Sequence, residues 1–115
     1  MIVRVLALLV LLVLAVGARA AGFVSGTDDL PLMDGLAEIA GSGTVFDKPS
    51  GRFVEAYAAG PVSEDAVAGF YRESLPHLGW SPAGPLIFTR EGERLSIVLT
   101  PTDAGLTVRF SLAPE

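Results

Sequence analysis

The chain has 115 residues, of which 50% are hydrophobic and 18% charged, so it has room for one small domain and is not intrinsically disordered. It contains no cysteine, which excludes disulfides, thiolate catalysis, cysteine-ligated metals and a lipid anchor on a cysteine. Beyond the first twenty residues it carries thirteen acidic and six basic side chains, a formal charge of −7, and therefore lacks the basic surface that nucleic acids and anionic lipids require.

Residues 1–20 are organised like a secretory signal peptide. A basic start ending at Arg4 precedes an unbroken apolar run, residues 5–16, and small residues at 18 and 20 form an A-x-A site, so we expect cleavage near Ala20. An uncleaved membrane anchor is the alternative, but twelve helical residues rise only about 18 Å, less than a hydrocarbon core of about 30 Å. We expect the remainder to be periplasmic or secreted, or anchored to the inner membrane if the segment is uncleaved.

Residues 21–43 are predicted to be an extended lead-in segment with at most one helical turn. They contain five glycines and one short apolar stretch, residues 36–40. Asp28, Asp29 and Asp34 also fall here, but their spacing is not that of a calcium-binding loop. We interpret them as a solvated acidic loop rather than a cation site.

Residues 44–115 are predicted to form an α+β domain that begins with a hairpin. Two β-prone runs, residues 44–47 and 52–59, flank Lys48-Pro49-Ser50-Gly51, a sequence suited to a turn. The second run alternates larger residues, including Tyr57, with small ones that can lie beneath a helix.

The clearest element is a helix after Gly60. Ser63 is a natural N-cap, and acidic residues follow it at the positive end of the helix dipole. Pro76 and Gly79 mark the end of the helix, which places Trp80 where it can pack back on Leu75 in a Schellman motif.

Three further strands complete the prediction. Residues 85–91, 94–100 and 106–112 alternate apolar and polar side chains and are joined by connections short enough to require antiparallel pairing. The pattern as a whole indicates a two-layer α+β fold: an antiparallel sheet of about four to five strands, formed by a hairpin and a three-stranded meander, with one helix packed on one face.

Few side chains suggest chemistry. The only histidine, His77, falls in the last turn of the helix, and neither a nucleophile setting nor a histidine pair accompanies it. We expect Arg90, Arg94 and Arg109 on the outer face of the sheet, in cross-strand ion pairs with neighbouring glutamates. No catalytic residue, metal site or cofactor is predicted.

The helix and its exit carry a resemblance. Residues 67–80, with Phe70-Tyr71, Leu75-Pro76 and Leu78-Gly79-Trp80 leading into a meander, resemble small exported proteobacterial proteins of unassigned function. Residues 29–33, 35–36 and 46–52 fit the same pattern. The resemblance implies a location in the bacterial envelope, and it transfers neither an activity nor a functional residue.

These observations favour a non-enzymatic accessory or interaction module of the bacterial cell envelope. We expect a monomer that contacts an envelope protein through its lead-in segment or a sheet edge. One alternative is a periplasmic small-ligand-binding protein that uses a seam between helix and sheet around Tyr57, Phe70 and Trp80. Another is a membrane-anchored form that keeps its N-terminal helix.

Overall fold

The computed structural model describes residues 22–115, so the predicted signal peptide, residues 1–20, lies outside the described residues. Its elements in chain order are β1 (Ala37–Glu38), β2 (Thr44–Lys48), β3 (Gly51–Gly60), α1 (Glu64–His77), β4 (Ser81–Gly84), β5 (Ile87–Arg90), β6 (Glu93–Thr102) and β7 (Gly105–Pro114).

The strands form a single antiparallel sheet with β7 near its centre. The order is β1-β3-β7-β6-β5-β4, and β2 pairs with the same edge of β3 as β1 does. The connection through α1 carries the chain from β3 to β4 at the far edge, and a meander then returns it to β7. Because α1 lies on this crossover, it covers one face of the sheet.

The predicted helix is confirmed, including both ends. The Ala66 N–H donates to the Oγ of Ser63 at 3.1 Å, which caps the N-terminus. At the C-terminus the Trp80 N–H donates to the Leu75 carbonyl, and the Gly79 N–H to that of Pro76, both at 3.1 Å. Gly79 has a φ of 90°, so this is the Schellman motif that the sequence predicts.

The core lies between one face of the sheet, the covered face, and two segments packed on it. The covered face is defined by buried side chains of the sheet: Val54, Ala56, Ala58, Phe88, Leu95, Ile97, Leu106, Val108, Phe110 and Leu112. From α1 come Val67, Tyr71 and Leu75, which are fully buried. Residues 22–36 add Val24 and Leu30, so the core extends beyond residue 44 towards the N-terminus.

The α+β class is confirmed, but the predicted strand count is too low because β1 and β4 are absent from the prediction. β4 reads Ser-Pro-Ala-Gly, is wholly exposed, and shows no alternation of apolar and polar residues. β1 is two residues long and falls where the sequence suggests a helical turn. Its extended conformation is imposed by pairing with Ala58 and Ala59 of β3, which no local signal reveals.

No helix in the part of the chain described here has both the length and the apolar character needed to span a membrane.

One part-buried hydrogen bond ties α1 to the lead-in segment. The Tyr71 hydroxyl donates to the Pro31 carbonyl at 2.8 Å, and burial raises the pKa of Tyr71 to about 12. We expect Tyr71→Phe to lower the free energy of unfolding by about 1 kcal/mol, since the ring still fills its site but the carbonyl loses its partner. Urea denaturation measures this, with Tyr57→Phe as the control, because the Tyr57 hydroxyl lies outside the core and bonds to the side chain of Glu55. Equal effects of the two variants would contradict the prediction.

Candidate functional site

The structure does not bring together the three residues of the predicted seam. Tyr57 lies on the face of the sheet opposite the helix, the open face, where its hydroxyl donates to Glu55 at 3.0 Å. Phe70 is half-buried on α1, and Trp80 is buried beneath the end of the helix. Because the sheet lies between Tyr57 and the other two, these side chains do not line one groove. Small-ligand binding itself stays a prediction.

Separate spaces adjoin Phe70 and Trp80. A groove of ≈ 490 Å³ runs along α1 beside Phe70, Ser74 and His77. Trp80 instead borders a small cavity of ≈ 20 Å³. A cavity of that size has room for about one water molecule and not for an organic ligand. His77 is exposed in the last turn of α1, as its sequence position predicts.

Arg90 forms a junction between the lead-in segment and the end of the helix. Its guanidinium makes two hydrogen bonds to Asp29, at 2.8 and 3.1 Å, and a third to the Leu78 carbonyl at 2.8 Å. The same group lies 4.3 Å from the centre of the Trp80 ring, within range of a cation–π interaction. Arg90 shares the covered face with Phe88, so its predicted place on the outer face, paired with a neighbouring glutamate, is wrong.

A polar cleft of ≈ 700 Å³ opens beside this junction. The cation that borders it, Arg90, is neutralised by Asp29, whereas Asp28, Glu91 and Glu115 add negative charge. Within residues 22–115, no three acidic or histidine side chains lie where they could hold a metal ion together. The cleft is therefore unsuited to an anion and shows no ligand set for a cation.

The open face carries a second ion pair at its centre. Arg109 donates to both carboxylate oxygens of Glu55, at 3.1 and 3.2 Å, across the β3–β7 pairing. These bonds hold the pKa of Glu55 below its usual value and raise that of Arg109, and the Glu55 contact raises the pKa of Tyr57. A cross-strand pair is predicted for Arg109, although its partner is not one of the expected glutamates. Arg109 is thus engaged and is no free anion site.

The two edges of the sheet differ in their ability to accept another strand. At one edge β4 contains Pro82, and its pairing with β5 shifts register between Pro82 and Gly84, which are both features that obstruct strand addition. At the other edge β2 has five residues, all exposed, and no proline. We call the outer side of Thr44–Lys48 the free edge, because no strand described in residues 22–115 pairs with it.

A bulge separates β1 from β2 and limits the free edge. Seven residues along this side span only four residues of β3. Ser42 bridges the irregularity, because its hydroxyl accepts from the Tyr57 N–H at 3.2 Å and donates to the Ile39 carbonyl at 2.6 Å. The N–H of Ile39 donates to the Tyr57 carbonyl at 2.7 Å. The protruding segment confines an added strand to β2.

The pairing pattern shows which main-chain groups of β2 point outward. In an antiparallel pair, only alternate residues direct both N–H and C=O to the same neighbour. Tyr57 directs both groups towards the β1–β2 side, so the other odd-numbered residues of β3 do as well. Phe46 and its even-numbered neighbours pair with them. Val45 and Asp47 therefore present two N–H and two C=O groups to the free edge.

The side chains of β2 give the free edge a distinct chemistry. Val45 and Phe46 are 51% and 45% exposed, and they are two of six exposed large apolar residues among residues 22–115. The Phe46 ring stacks on Phe53 with centroids 5.2 Å apart, and the Lys48 ammonium lies over both rings at 5.4 and 5.0 Å. Asp47 projects on the opposite side of the strand, towards the covered face, because it pairs with Arg52.

The sequence predicts the hairpin, but it does not show that the first strand of the hairpin lies at an edge of the sheet. Local alternation shows which side chains share a face, whereas the exposure of an edge depends on which strands become neighbours. One signal was present: Val45 and Phe46 are consecutive apolar residues in a short run that lies next to a glycine-rich segment. Consecutive apolar residues place one side chain on each face, so both cannot be buried under a single helix.

The Asp29–Arg90 pair makes stability dependent on pH. Hydrogen bonds from Arg90 hold the pKa of Asp29 below its ordinary value of 3.8, so the pair stabilises the fold above that pH. We expect Asp29→Asn to lower the free energy of unfolding by about 1 kcal/mol at pH 7. The deficit should shrink as the pH falls through the lowered pKa. Denaturation at several pH values tests this, with Asp28→Asn as the control, and a deficit independent of pH would contradict it.

Comparison of the chain with protein-family models, with curated proteins and with solved structures gave no match.

Proposed function

We propose that this protein is an exported, non-enzymatic interaction domain of the bacterial cell envelope, which binds an extended segment of a partner protein by strand addition at the free edge. The observation that carries the proposal is that Val45 and Asp47 turn their main-chain groups outward on a strand whose side chains are exposed. Main-chain hydrogen bonds supply affinity in this mode of recognition, and alternate side chains supply specificity.

The difference between the two edges supports recognition at a defined place. Sheet proteins ordinarily protect both edges with proline, bulges, charge or short strands, because open edges pair with other chains. Here β4 has such protection, whereas β2 exposes Val45 and Phe46 between a bulge and the turn at Pro49. A row of unpaired main-chain groups at the edge of a sheet is a template for pairing with another chain.

The arrangement of titratable groups supports a non-enzymatic role. The carboxylates whose pKa is lowered, Asp29 and Glu55, each form an ion pair with an arginine. Tyr71 owes its raised pKa to burial in the core. These shifts follow from structural pairing and packing, and none belongs to a nucleophile beside a base in a cleft.

Export is supported by the sequence of residues 1–20 and by the resemblance to exported proteins. We expect the full-length chain, carrying a C-terminal tag, to be recovered from the periplasm with a mature N-terminus at Ala21. Intact-mass spectrometry of the fractionated cells measures this. Recovery from the membrane with Met1 retained would instead support the anchored form.

Strand addition predicts a position-specific contact. We expect a photo-reactive phenylalanine analogue at Phe46 to give a discrete cross-linked species in the native envelope. The same analogue at Val98, which is 49% exposed on the open face of β6, should give none. Val45→Pro should abolish the cross-link, because it removes an outward N–H without touching the β2–β3 hydrogen bonds. Gel mobility and mass spectrometry identify the product.

Val45→Ala is the matched control, since it removes most of the side chain but keeps the N–H. We expect the Val45→Ala protein to give at least about a third of the cross-linked product that the unmodified sequence gives, because only part of the apolar contact with the partner is lost. Urea denaturation of both variants checks that they fold. A folded Val45→Pro protein that cross-links as well as the unmodified sequence would refute strand addition at this edge.

A further inference from the structure

We infer that the strand bound at the free edge runs antiparallel to β2 and carries a basic, an aromatic and a β-branched residue in succession, opposite Asp47, Phe46 and Val45. This inference rests on the proposed function and specifies the chemistry of the partner. Antiparallel pairing is favoured because it is slightly more stable per residue than parallel pairing.

The chain already contains one strand that fits β2. On the inner side of β2, Arg52 lies opposite Asp47, Phe53 opposite Phe46 and Val54 opposite Val45. Cross-strand pairs of aromatic, β-branched and oppositely charged residues stabilise antiparallel sheets. An added strand meets the same three side chains from the outer side and is therefore selected by the same pairing preferences.

Asp47 is available to a basic residue from outside. Although Arg52 lies opposite it in register, the Arg52 guanidinium is directed elsewhere, towards the Gly26 carbonyl at 3.5 Å and Glu93 at 3.9 Å. No ion pair among residues 22–115 involves Asp47, and the residue is exposed. A lysine or arginine on the added strand would supply the missing opposite charge.

Phe46 favours an aromatic residue on the added strand. Because Phe46 turns its main-chain groups towards β3, its position at the free edge is a non-hydrogen-bonded one. Opposed Cα atoms at such positions approach to about 4.5 Å, so their side chains are in close contact. An aromatic ring there would extend the Phe46–Phe53 stack, and an acidic residue one position earlier would lie opposite Lys48.

The charge of the whole domain acts in the same direction. Residues 22–115 hold all thirteen acidic side chains and six of the basic ones, so the surface attracts basic segments at long range. Long-range attraction raises the rate of encounter, whereas Asp47 and Lys48 set the register once the strand is bound. Asp47 and Lys48 project from opposite faces of β2. If an acidic and a basic residue that are neighbours in the partner exchange places, each of them therefore meets a like charge on β2.

A pair of peptides tests the inference. The first is a nine-residue fluorescent peptide with the central sequence Glu-Arg-Phe-Val-Thr between Gly-Ser flanks, and the second exchanges its first two central residues to give Arg-Glu-Phe-Val-Thr. We expect the purified full-length protein to bind the first about tenfold more tightly in fluorescence anisotropy, because two favourable charge pairs become two unfavourable ones. The two peptides have the same composition and net charge.

The reciprocal variant removes any intrinsic difference between the peptides. The Asp47→Lys, Lys48→Asp double variant should reverse the preference, so that the exchanged peptide binds more tightly by a similar factor. N-methylation of the peptide valine should abolish binding to both proteins, since this residue lies opposite Val45 and exchanges main-chain hydrogen bonds with it. The reversed sequence Thr-Val-Phe-Arg-Glu, which fits a parallel strand, should bind more weakly than the first peptide.

Several results would overturn the inference. These are equal affinities for the two peptides, a preference unchanged by the double variant, tighter binding of the reversed sequence, or absence of binding to a folded protein. Sedimentation could instead show concentration-dependent dimers that form through Phe46, with no peptide binding. That result would identify a second copy of the chain as the occupant of the free edge. If the Phe46 cross-link is still lost in Val45→Pro, strand addition stands and only the assigned partner chemistry fails.

Discussion

Arg90 joins three parts of the chain that are distant in sequence. Its hydrogen bonds to Asp29 and Leu78 and its contact with the Trp80 ring hold the lead-in segment, the helix exit and β5 together. The lead-in segment places Val24 and Leu30 in the core and covers the part of the sheet that α1 leaves open. The other end of the lead-in segment also lies close to the sheet. The Gly35 carbonyl approaches Gly60 of β3 so closely that a side chain at Gly60 would collide with it. One face of the sheet is thereby closed, whereas the open face and the free edge stay uncovered.

The elements predicted best are those whose causes lie within a few residues. The N-cap at Ser63 and the Schellman motif through Gly79 are local hydrogen-bond arrangements, and both are found where the sequence places them. The hairpin and the last three strands follow from alternation and turn residues, which act over similarly short distances. The short strands β1 and β4 have no such local cause. β1 is extended because β3 lies beside it, and β4 because β5 does, so both depend on tertiary pairing.

The candidate site illustrates the same limit. Alternation along β3 already assigns Tyr57 to the face away from the helix, so a seam shared with Phe70 and Trp80 conflicts with the strand pattern itself. Aromatic character suggested a common pocket, whereas side-chain direction excludes one. Arg90 shows the converse case, because its partner Asp29 is 61 residues away and no sequence spacing links them. The free edge is less predictable still, since it is a property of the strand order and not of any residue.

Strand order also bears on whether the proposed binding at β2 would disturb the core. β3 is held in the sheet by its pairing with β7, which does not involve β2. Its side chains Val54, Ala56 and Ala58 are buried on the covered face. No strand among residues 22–115 pairs with the outer side of β2, so an added strand would displace no existing strand pairing. The bulge at Ser42 and the turn at Pro49 bound the available length, so in the proposed strand addition Val45 and Asp47 are the residues that would exchange main-chain hydrogen bonds with a partner. So few hydrogen bonds would give modest affinity, and discrimination among partners would then depend on the side chains of Val45, Phe46, Asp47 and Lys48.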